Sequence, residues 1–314
     1  MTTLFLHEQA LVLDNGIAGE TQRVDSANPA TFSAAISGAL GSPQDIYTQT
    51  FVPPGIDAPS IVMIVPGSLG IAPSHVYKAQ LLTEAGFAAC LVDPFGARKV
   101  ESTVANQAQF SFAASAWDVL AVGAALHAQG RFSRLGLQGH SRGGSAIQLA
   151  TAMQKFTAFK VPFAGVYAAY PWCGLQFLSP DVGATRVRSI IGDQDEWCSA
   201  QQVQGYTHSL VISGCAASCR IIAGAHHSFD RDTPLENVPD ASVAPGAPTV
   251  FIDDDGTYLH PVAGRTPADT SERALMLYGI KAGYGVRGAH IGSREDDAEL
   301  FHEDMILFWR EVFA

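Results

Sequence analysis

Short apolar runs alternate with longer amphipathic stretches through the middle of the chain. The runs are rich in β-branched residues and end at Gly, Pro or Asp, which indicates buried strands. We predict strands at residues 61–65, 87–92, 135–138, 163–169, 187–191 and 220–223, and helices at 74–85, 106–129 and from 142 past 150. Because parallel strands need crossover connections, the pattern predicts the α/β fold class with one doubly wound, mostly parallel sheet.

The regions before residue 55 and after residue 230 depart from this alternation of strands and helices. Residues 1–55 predict antiparallel edge strands and loops. Residues 230–290 are rich in proline near their start, and we interpret them as a loop-rich insertion that is a candidate lid. Residues 295–313 carry apolar side chains at the spacing of an amphipathic helix that packs on the sheet. We expect one domain over residues 1–314.

Composition narrows the possible partners. The chain is 47% hydrophobic and 16% charged, which is typical of an ordered globular protein. Its formal net charge is −11 and it has no basic run, so we expect no nucleic-acid partner. No stretch approaches the roughly 18 uninterrupted apolar residues that span a bilayer, so we expect no membrane partner. A small molecule is the favoured partner, and nothing in the pattern predicts the oligomeric state.

The N-terminus and the cysteines bear on location and metal binding. Residues 1–8 lack the basic region of a secretory signal, so we expect a cytoplasmic protein. No Cys/His cluster has zinc-finger spacing, and the five cysteines are an odd number that does not pair completely within the chain. Cys215 and Cys219 are close enough in sequence to bridge, but buried or free thiols are the ordinary alternative. We expect no metal and no cofactor.

The strongest local motif is Gly139-His-Ser-Arg-Gly143, which matches G-x-S-x-G. It follows a short apolar strand and opens a helix, the context that a nucleophile elbow requires. A sharp turn presents the Ser141 hydroxyl at the carboxyl edge of the sheet, and glycines on either side relieve crowding. The helix behind it offers unpaired N–H groups to a developing oxyanion.

A serine nucleophile needs a base, and the base needs an orienting acid, in the chain order Ser, acid, His for this type of fold. Two loops after later strands supply candidates in that order. Asp193 and Asp195 follow the strand at 187–191, and His226 and His227 follow the strand at 220–223. The residues themselves leave both choices open.

These motifs together resemble the dienelactone hydrolase family of the α/β-hydrolase superfamily. Gly192-Asp-Gln-Asp195 is similar to the family's G-x-x-D acid turn, and Ala225-His-His-Ser-Phe-Asp230 is similar to its histidine segment. The resemblance covers roughly residues 55–230 and the last helix. It implies an α/β-hydrolase fold with Asp195 as the acid and His227 as the base. This chain has Ser141 where the enzyme that names the family has cysteine, which favours general ester hydrolysis.

The oxyanion hole is expected to use two backbone N–H groups. One belongs to Arg142, the residue after the nucleophile. The other comes from the turn after the strand at 61–65, and the resemblance implies Ser68, with Leu69 as the alternative. Pro66 stands in this turn where many relatives have histidine.

Several side chains beyond the ends of predicted strands are candidates for binding substrate. The predicted set is Leu69, Phe95, Trp172, Trp197 and Phe229, with core packing as the alternative for each aromatic residue. Arg98 and Arg142 either bind a substrate carboxylate or form ion pairs with nearby acids such as Asp93.

The prediction is a serine hydrolase that cleaves carboxylic esters of small or aromatic substrates through an acyl-enzyme. Lactonase, thioesterase and acyltransferase activities use the same three residues and remain alternatives. A hydrolase-fold protein that binds without catalysis is the alternative of another class.

Overall fold

The computed structural model describes residues 4–314, and residues 1–3, which belong to the N-terminal segment considered above for a secretory signal, lie outside that range. The described chain forms fourteen strands: β1 (Glu20–Ala27), β2 (Pro43–Phe51), β3 (Ile61–Val65), β4 (Ala88–Asp93), β5 (Leu135–His140), β6 (Phe163–Ala169), β7 (Leu175–Phe177), β8 (Arg186–Gly192), β9 (Ala217–Ile222), β10 (Glu236–Val243), β11 (Val250–Ile252), β12 (Tyr258–His260), β13 (Gly264–Arg265) and β14 (Val286–Ile291). It also forms seven α-helices: α1 (Phe32–Ser37), α2 (Pro73–Glu84), α3 (Phe112–Ala128), α4 (Arg142–Met153), α5 (Ala200–Ile212), α6 (Glu272–Lys281) and α7 (Asp297–Phe313).

Eight strands form the main sheet, in the order β1-β2-β4-β3-β5-β6-β8-β9. Six neighbouring strands of this order run parallel, namely β4, β3, β5, β6, β8 and β9. Strand β2 is antiparallel to both β1 and β4. Strand β3 is buried at every position, as expected for a parallel strand that is covered on both faces. The predicted doubly wound sheet and its antiparallel N-terminal edge are therefore confirmed.

The final helix closes one face of this sheet. Trp309 of α7 lies against Gly136 of β5, where a Cβ atom would approach the indole ring within 2.2 Å. Its Nε1 donates to Gln138 Oε1 at 3.0 Å, so the buried indole keeps a polar partner. Phe301, Met305 and Trp309 are fully buried, which confirms the predicted amphipathic helix.

Residues 236–291 are more regular than the sequence indicated, and we call this segment the cap. Strands β10 and β14 pair as an antiparallel ribbon, while β11, β12 and β13 extend a second small sheet from β7. The segment therefore contains more regular structure than the expected loop-rich insertion, because β10 and β11 find their partners β14 and β7 far away in sequence. Ser271 is the N-cap of helix α6, and its hydroxyl accepts a hydrogen bond from Ala274 N at 3.2 Å. Serine is a preferred residue at this position, so the sequence did mark the start of this helix.

Among residues 4–314, no helix has the length and apolar character needed to cross a membrane. In the same range the five cysteines are free thiols, so Cys215 and Cys219 do not bridge.

Candidate active site

The site is built around a strained turn between β5 and α4. Ser141 occupies this turn with φ 54° and ψ −117°, a backbone conformation that side-chain-bearing residues rarely adopt. The turn lifts the serine from the sheet and lets α4 begin at the next residue. The strand, strained serine and helix follow one another as in the nucleophile elbow of the α/β-hydrolase fold.

The two flanking glycines are required by close backbone contacts. A Cβ atom on Gly139 would lie 2.3 Å from the Gly143 carbonyl oxygen, and one on Gly143 would lie 2.2 Å from the Val65 carbonyl oxygen. Real Cβ atoms do not approach so closely, so only glycine fits at either position. The G-x-S-x-G spacing therefore has a steric cause in this chain.

A line of hydrogen bonds joins the predicted serine, histidine and acid. His227 Nε2 lies 2.9 Å from Ser141 Oγ, and His227 Nδ1 lies 2.7 Å from Asp195 Oδ2. The other carboxylate oxygen of Asp195 accepts from the backbone N–H groups of Trp197 and Cys198, at 2.8 and 2.9 Å. The acid is thus held at one oxygen and free to orient the imidazole with the other.

The structure separates the alternatives that the sequence left open. Asp193 points away from the histidine, and its carboxylate accepts from Gly224 N at 2.6 Å. His226 is half-buried with its ring 6.2 Å from that of His290, and it does not contact Ser141. Asp195 and His227 are therefore the pair that reaches the serine.

Aromatic rings hold the imidazole of His227 from two sides. The Trp197 indole stacks on it, with ring centroids 5.2 Å apart and an interplanar angle of 17°. The edge of the Tyr170 ring meets it at 4.7 Å between centroids. His227 is only 3% exposed, so its position is fixed by packing as well as by hydrogen bonds.

The turn after β3 lies directly against the elbow. A Cβ atom on Gly67 would come within 3.2 Å of the Ser141 Cβ, so the glycine lets the following residue approach the serine. Ser68 and Leu69 line the small pocket that also contains Ser141 and His227. Arg142 opens α4, so its N–H belongs to the first turn of the helix, whose donors lack intrahelical partners.

A neighbouring loop braces this turn. The Ser68 carbonyl accepts from Thr103 N at 2.8 Å, and the Ser68 hydroxyl donates to Gln107 Oε1 at 3.1 Å. The Arg142 guanidinium donates to the carbonyl groups of Gln107 and Phe110, at 3.0 and 2.6 Å. Arg142 therefore ties the loop to the elbow through its side chain.

The arginines predicted to meet carboxylates have other partners. Burial lowers the pKa of Arg142 to about 10, and its guanidinium lies over the Phe110 and Phe112 rings. Arg98 forms a buried ion pair with Asp118, with 2.7 Å between Nη1 and Oδ2, and not with Asp93. Both guanidinium groups are therefore engaged by groups of the protein.

A cavity of about 450 Å³ opens beside Ser141, between the main sheet and the cap. Its wall includes Ser68, Trp172 and Trp197, which lie outside the cap, and Leu275 and Met276 of α6. Its volume is in the range of ordinary small-molecule sites. Three predicted substrate-binding residues therefore lie near the serine: Trp172 and Trp197 on this cavity, and Leu69 on the adjoining small pocket.

The predictions for Phe95 and Phe229 are wrong. Phe95 is 1% exposed and packs edge-on against Phe110, and Phe229 is fully buried against Phe301. Neither lines the cavity or the small pocket at Ser141. Both follow strand ends as predicted, but their turns direct the rings into the core, the alternative that position along the chain does not exclude.

Asp195, Cys198 and His227 place an oxygen, a sulfur and a nitrogen atom within 4.8 Å of one another. Burial, followed by the charge of Asp195, raises the pKa of the Cys198 thiol well above its usual range. A metal ligand must be the thiolate, and the acid and imidazole already bond each other. This donor set therefore fits a metal poorly.

Glu272 is a site residue that the sequence did not indicate. It is the buried residue of α6, and its two carboxylate oxygens accept from Phe112 N and Ala113 N at 2.6 and 3.1 Å. These donors form the first turn of α3, where the helix dipole favours a negative charge. A single carboxylate thus anchors the cap helix to the core beside the cavity.

No protein-family model matches the chain. No curated protein matches its sequence.

Solved structures give matches at low sequence identity. Est1E from Butyrivibrio proteoclasticus is 17% identical, with 59% of this chain and 86% of that chain covered and a TM-score of 0.45. A dienelactone hydrolase from Anabaena variabilis is 18% identical, with 67% and 88% covered and a TM-score of 0.47. A dienelactone hydrolase-like promiscuous phosphotriesterase from metagenomic libraries is 15% identical, with 86% and 100% covered and a TM-score of 0.49.

As the motifs predict, dienelactone hydrolases are among the solved structures that this chain resembles. The α/β-hydrolase fold itself is defined by the strand order and the elbow described above.

The anchoring carboxylate predicts a dependence of stability on pH. Burial raises the pKa of Glu272 from 4.5 to about 7, although the Phe112 and Ala113 N–H groups favour the charged form. The folded state therefore binds this proton more tightly than the unfolded chain, and the stabilisation is lost as the pH rises from about 4.5 to about 7. Relative to Glu272→Gln, the thermal midpoint of the wild type should fall across this window.

Differential scanning calorimetry at several pH values measures this difference. Glu303→Gln, on the exposed face of α7, is the control and should keep the pH dependence of the wild type. If the thermal midpoints of the wild type and Glu272→Gln changed with pH in the same way, Glu272 would not bind a proton more tightly in the folded state.

Proposed function

We propose that this protein is a serine hydrolase that cleaves carboxylic esters of small or aromatic substrates through an acyl-enzyme. The observation that carries the proposal is the hydrogen-bonded line from Ser141 through His227 to Asp195. A strained turn exposes the serine, and a buried acid fixes the tautomer of the imidazole. These are the features that turn a weak hydroxyl nucleophile into an effective one.

In the proposed reaction, Ser141 Oγ attacks the ester carbonyl carbon while His227 Nε2 accepts the hydroxyl proton. The tetrahedral oxyanion is bound by the backbone N–H groups of Ser68 and Arg142, the second of which is aligned with the dipole of α4. His227 then gives its proton to the departing alcohol, and the acyl group stays on the serine. Asp195 stays ionised and stabilises the imidazolium.

Deacylation repeats the same steps with water as the nucleophile. His227 takes a proton from water, the hydroxide attacks the acyl carbon, and Ser141 recovers its proton as the acid leaves. No step needs a metal or a cofactor. If an alcohol or thiol replaced water, the same residues would carry out acyl transfer, and product analysis with an added alcohol separates the two.

Substrate size is proposed from the cavity wall. Trp172 lies over Gly174, packs against Phe112 with 5.0 Å between ring centroids, and lines the cavity. Trp197 lines the same cavity. We propose that the two indole rings narrow the acyl side of the cavity, so that a short acyl chain or an aromatic ring fits beside Ser141 and a long aliphatic chain does not.

Replacing the nucleophile tests the mechanism. Ser141→Ala should lower ester turnover by about 10⁶-fold, as removal of the nucleophile does in related triads, because no other group takes its place. Turnover of p-nitrophenyl acetate and the thermal midpoint are measured together. Ser242→Ala removes a hydroxyl from the same cavity and should keep wild-type turnover. Near-normal turnover by folded Ser141→Ala would refute the mechanism.

The two acids of the turn after β8 give a matched pair. Asp195→Asn should reduce kcat by roughly 10⁴-fold, because an amide in this position favours the wrong tautomer of His227. Asp193→Asn should have little effect, since an amide oxygen still accepts from Gly224 N. Steady-state kinetics on the two variants decide the assignment, and the reverse order of effects would contradict it.

Chain length tests the proposed substrate class. Values of kcat/KM should fall in steps from p-nitrophenyl acetate to the dodecanoate, because the indole rings of the wall leave no room for the added methylenes, and a methylene that does not fit costs up to about 1–3 kcal/mol. Trp172→Ala should flatten this decline. Trp117→Ala removes an indole that packs against Phe159 outside the cavity, and it should leave the decline unchanged. Equal or faster cleavage of the dodecanoate would refute the narrow cavity.

A further inference from the structure

A buried ion pair lies under the loop that carries His227. Lys78 of α2 and Asp230, three residues after the histidine, form a salt bridge with 0% and 1% of their side chains exposed. Lys78 Nζ also donates to Ser74 O at 3.1 Å, and it lies 5.4 Å from the centroid of the Phe301 ring. The mechanism proposed above uses neither charge.

Tyr170 connects this ion pair to the imidazole. Its hydroxyl donates to Asp230 Oδ1 at 2.5 Å, and its ring edge meets the His227 ring at 4.7 Å between centroids. Its backbone holds an unusual φ of 37°, and its N–H donates to Ile190 O at 2.6 Å. One side chain therefore contacts both the buried charge and the imidazole.

The protonation states of these side chains favour the hydrogen bond from Tyr170 to Asp230. Burial opposes ionisation of Asp230, but the Lys78 ammonium and the hydrogen bonds from Lys78 and Tyr170 hold its pKa below the usual range. Burial, with the Asp230 charge, raises the pKa of Tyr170 well above its usual range, so the phenol keeps its proton and donates. Burial also lowers the pKa of the neighbouring His140 to about 3, so that ring adds no charge.

A buried ion pair is a weak source of stability, because removing two charges from water costs about as much as their attraction returns. Its effect on geometry is the stronger one. Asp230 lies in the same turn as Ser228, which has a φ of 57°, and the Tyr170 and Trp197 rings both contact the imidazole. Without this support, we expect the His227 ring to be held less tightly in its orientation toward Ser141.

We infer that the Lys78–Asp230 ion pair, acting through Tyr170, positions the His227 imidazole for proton transfer with Ser141. Lys78, Asp230 and Tyr170 are then positioning residues that do not touch the substrate. The inference rests on the proposed function, because it assigns His227 as the base.

The chain offers a closely matched control. Tyr167 lies in β6, the strand directly before Tyr170, and its hydroxyl donates to Asp304 Oδ2 at 3.0 Å. Asp304 in turn forms ion pairs with Arg188 and Arg220. Tyr167 is also fully buried but does not contact His227. Tyr170→Phe and Tyr167→Phe thus each remove one phenol hydroxyl bonded to an ion-paired aspartate.

Tyr170→Phe should lower kcat for p-nitrophenyl acetate by about 10- to 100-fold with little change in KM, because a small misplacement of a catalytic group has effects of this size. Tyr167→Phe should keep the wild-type kcat. Both variants should show similar changes in thermal midpoint. A kcat that is unchanged in Tyr170→Phe, or lowered equally in Tyr167→Phe, would overturn the inference.

A second variant removes the charges without leaving one unpaired. Lys78→Met combined with Asp230→Asn should fold with a thermal midpoint near that of the wild type, yet lower kcat over the same range. A folded double variant with wild-type kcat would also overturn the inference.

A spectroscopic measurement separates failure of this inference from failure of the proposed function. The proton between His227 Nδ1 and Asp195 should give a low-field ¹H NMR signal in the wild type. We expect that signal to shift or broaden in Tyr170→Phe and to persist in Tyr167→Phe. If the wild type lacked ester turnover, the proposed function would fail. An unshifted signal in Tyr170→Phe would still overturn the inference by itself.

Discussion

The close contact between Gly143 and the carboxyl end of β3 is the constraint on which the rest of the site depends. No side chain fits between the first turn of α4 and the Val65 carbonyl oxygen, so helix and strand are held at backbone distance. The residues that follow Val65 form the turn with Gly67 and Ser68. One steric contact therefore sets both the strained position of Ser141 and its distance from the proposed oxyanion donors.

The loops that carry His227 and Asp195, together with the cap, hold these two side chains next to Ser141. Strand β14 ends beside His227, where Gly292 N donates to the His227 carbonyl at 3.0 Å. The Trp197 indole donates to His290 O at 2.9 Å, which ties the acid turn to the same strand. The cap is therefore part of the support of His227 as well as a wall of the cavity. Glu272 joins it to α3 on the other side.

The sequence was sufficient for the features that depend on local chemistry. Buried strands with crossover helices predicted the sheet, and the glycines around Ser141 predicted the turn because only glycine fits there. The resemblance selected Asp195 and His227, which the structure brings to Ser141. These features are local in sequence or follow from the order of parallel strands.

The parts that could not be predicted depend on contacts between distant segments. Strand β7 has three residues and finds its parallel partner β11 more than seventy positions later, which no pattern of alternation shows. Glu272 gains its role only from the N–H groups of α3. Phe95 and Phe229 follow strands as expected, but the direction of a ring after a turn is decided by the packing around it.

In the proposed mechanism, Ser141 carries the acyl group during turnover. Rapid acid quenching during hydrolysis of p-nitrophenyl acetate, followed by mass spectrometry of proteolytic fragments, detects this group. We expect an acetyl mass increase on the peptide that contains Ser141, present during turnover and absent once the substrate is consumed. An ester-cleaving enzyme whose quenched Ser141 peptide is never acetylated, or whose acetyl group lies on another residue, would contradict it.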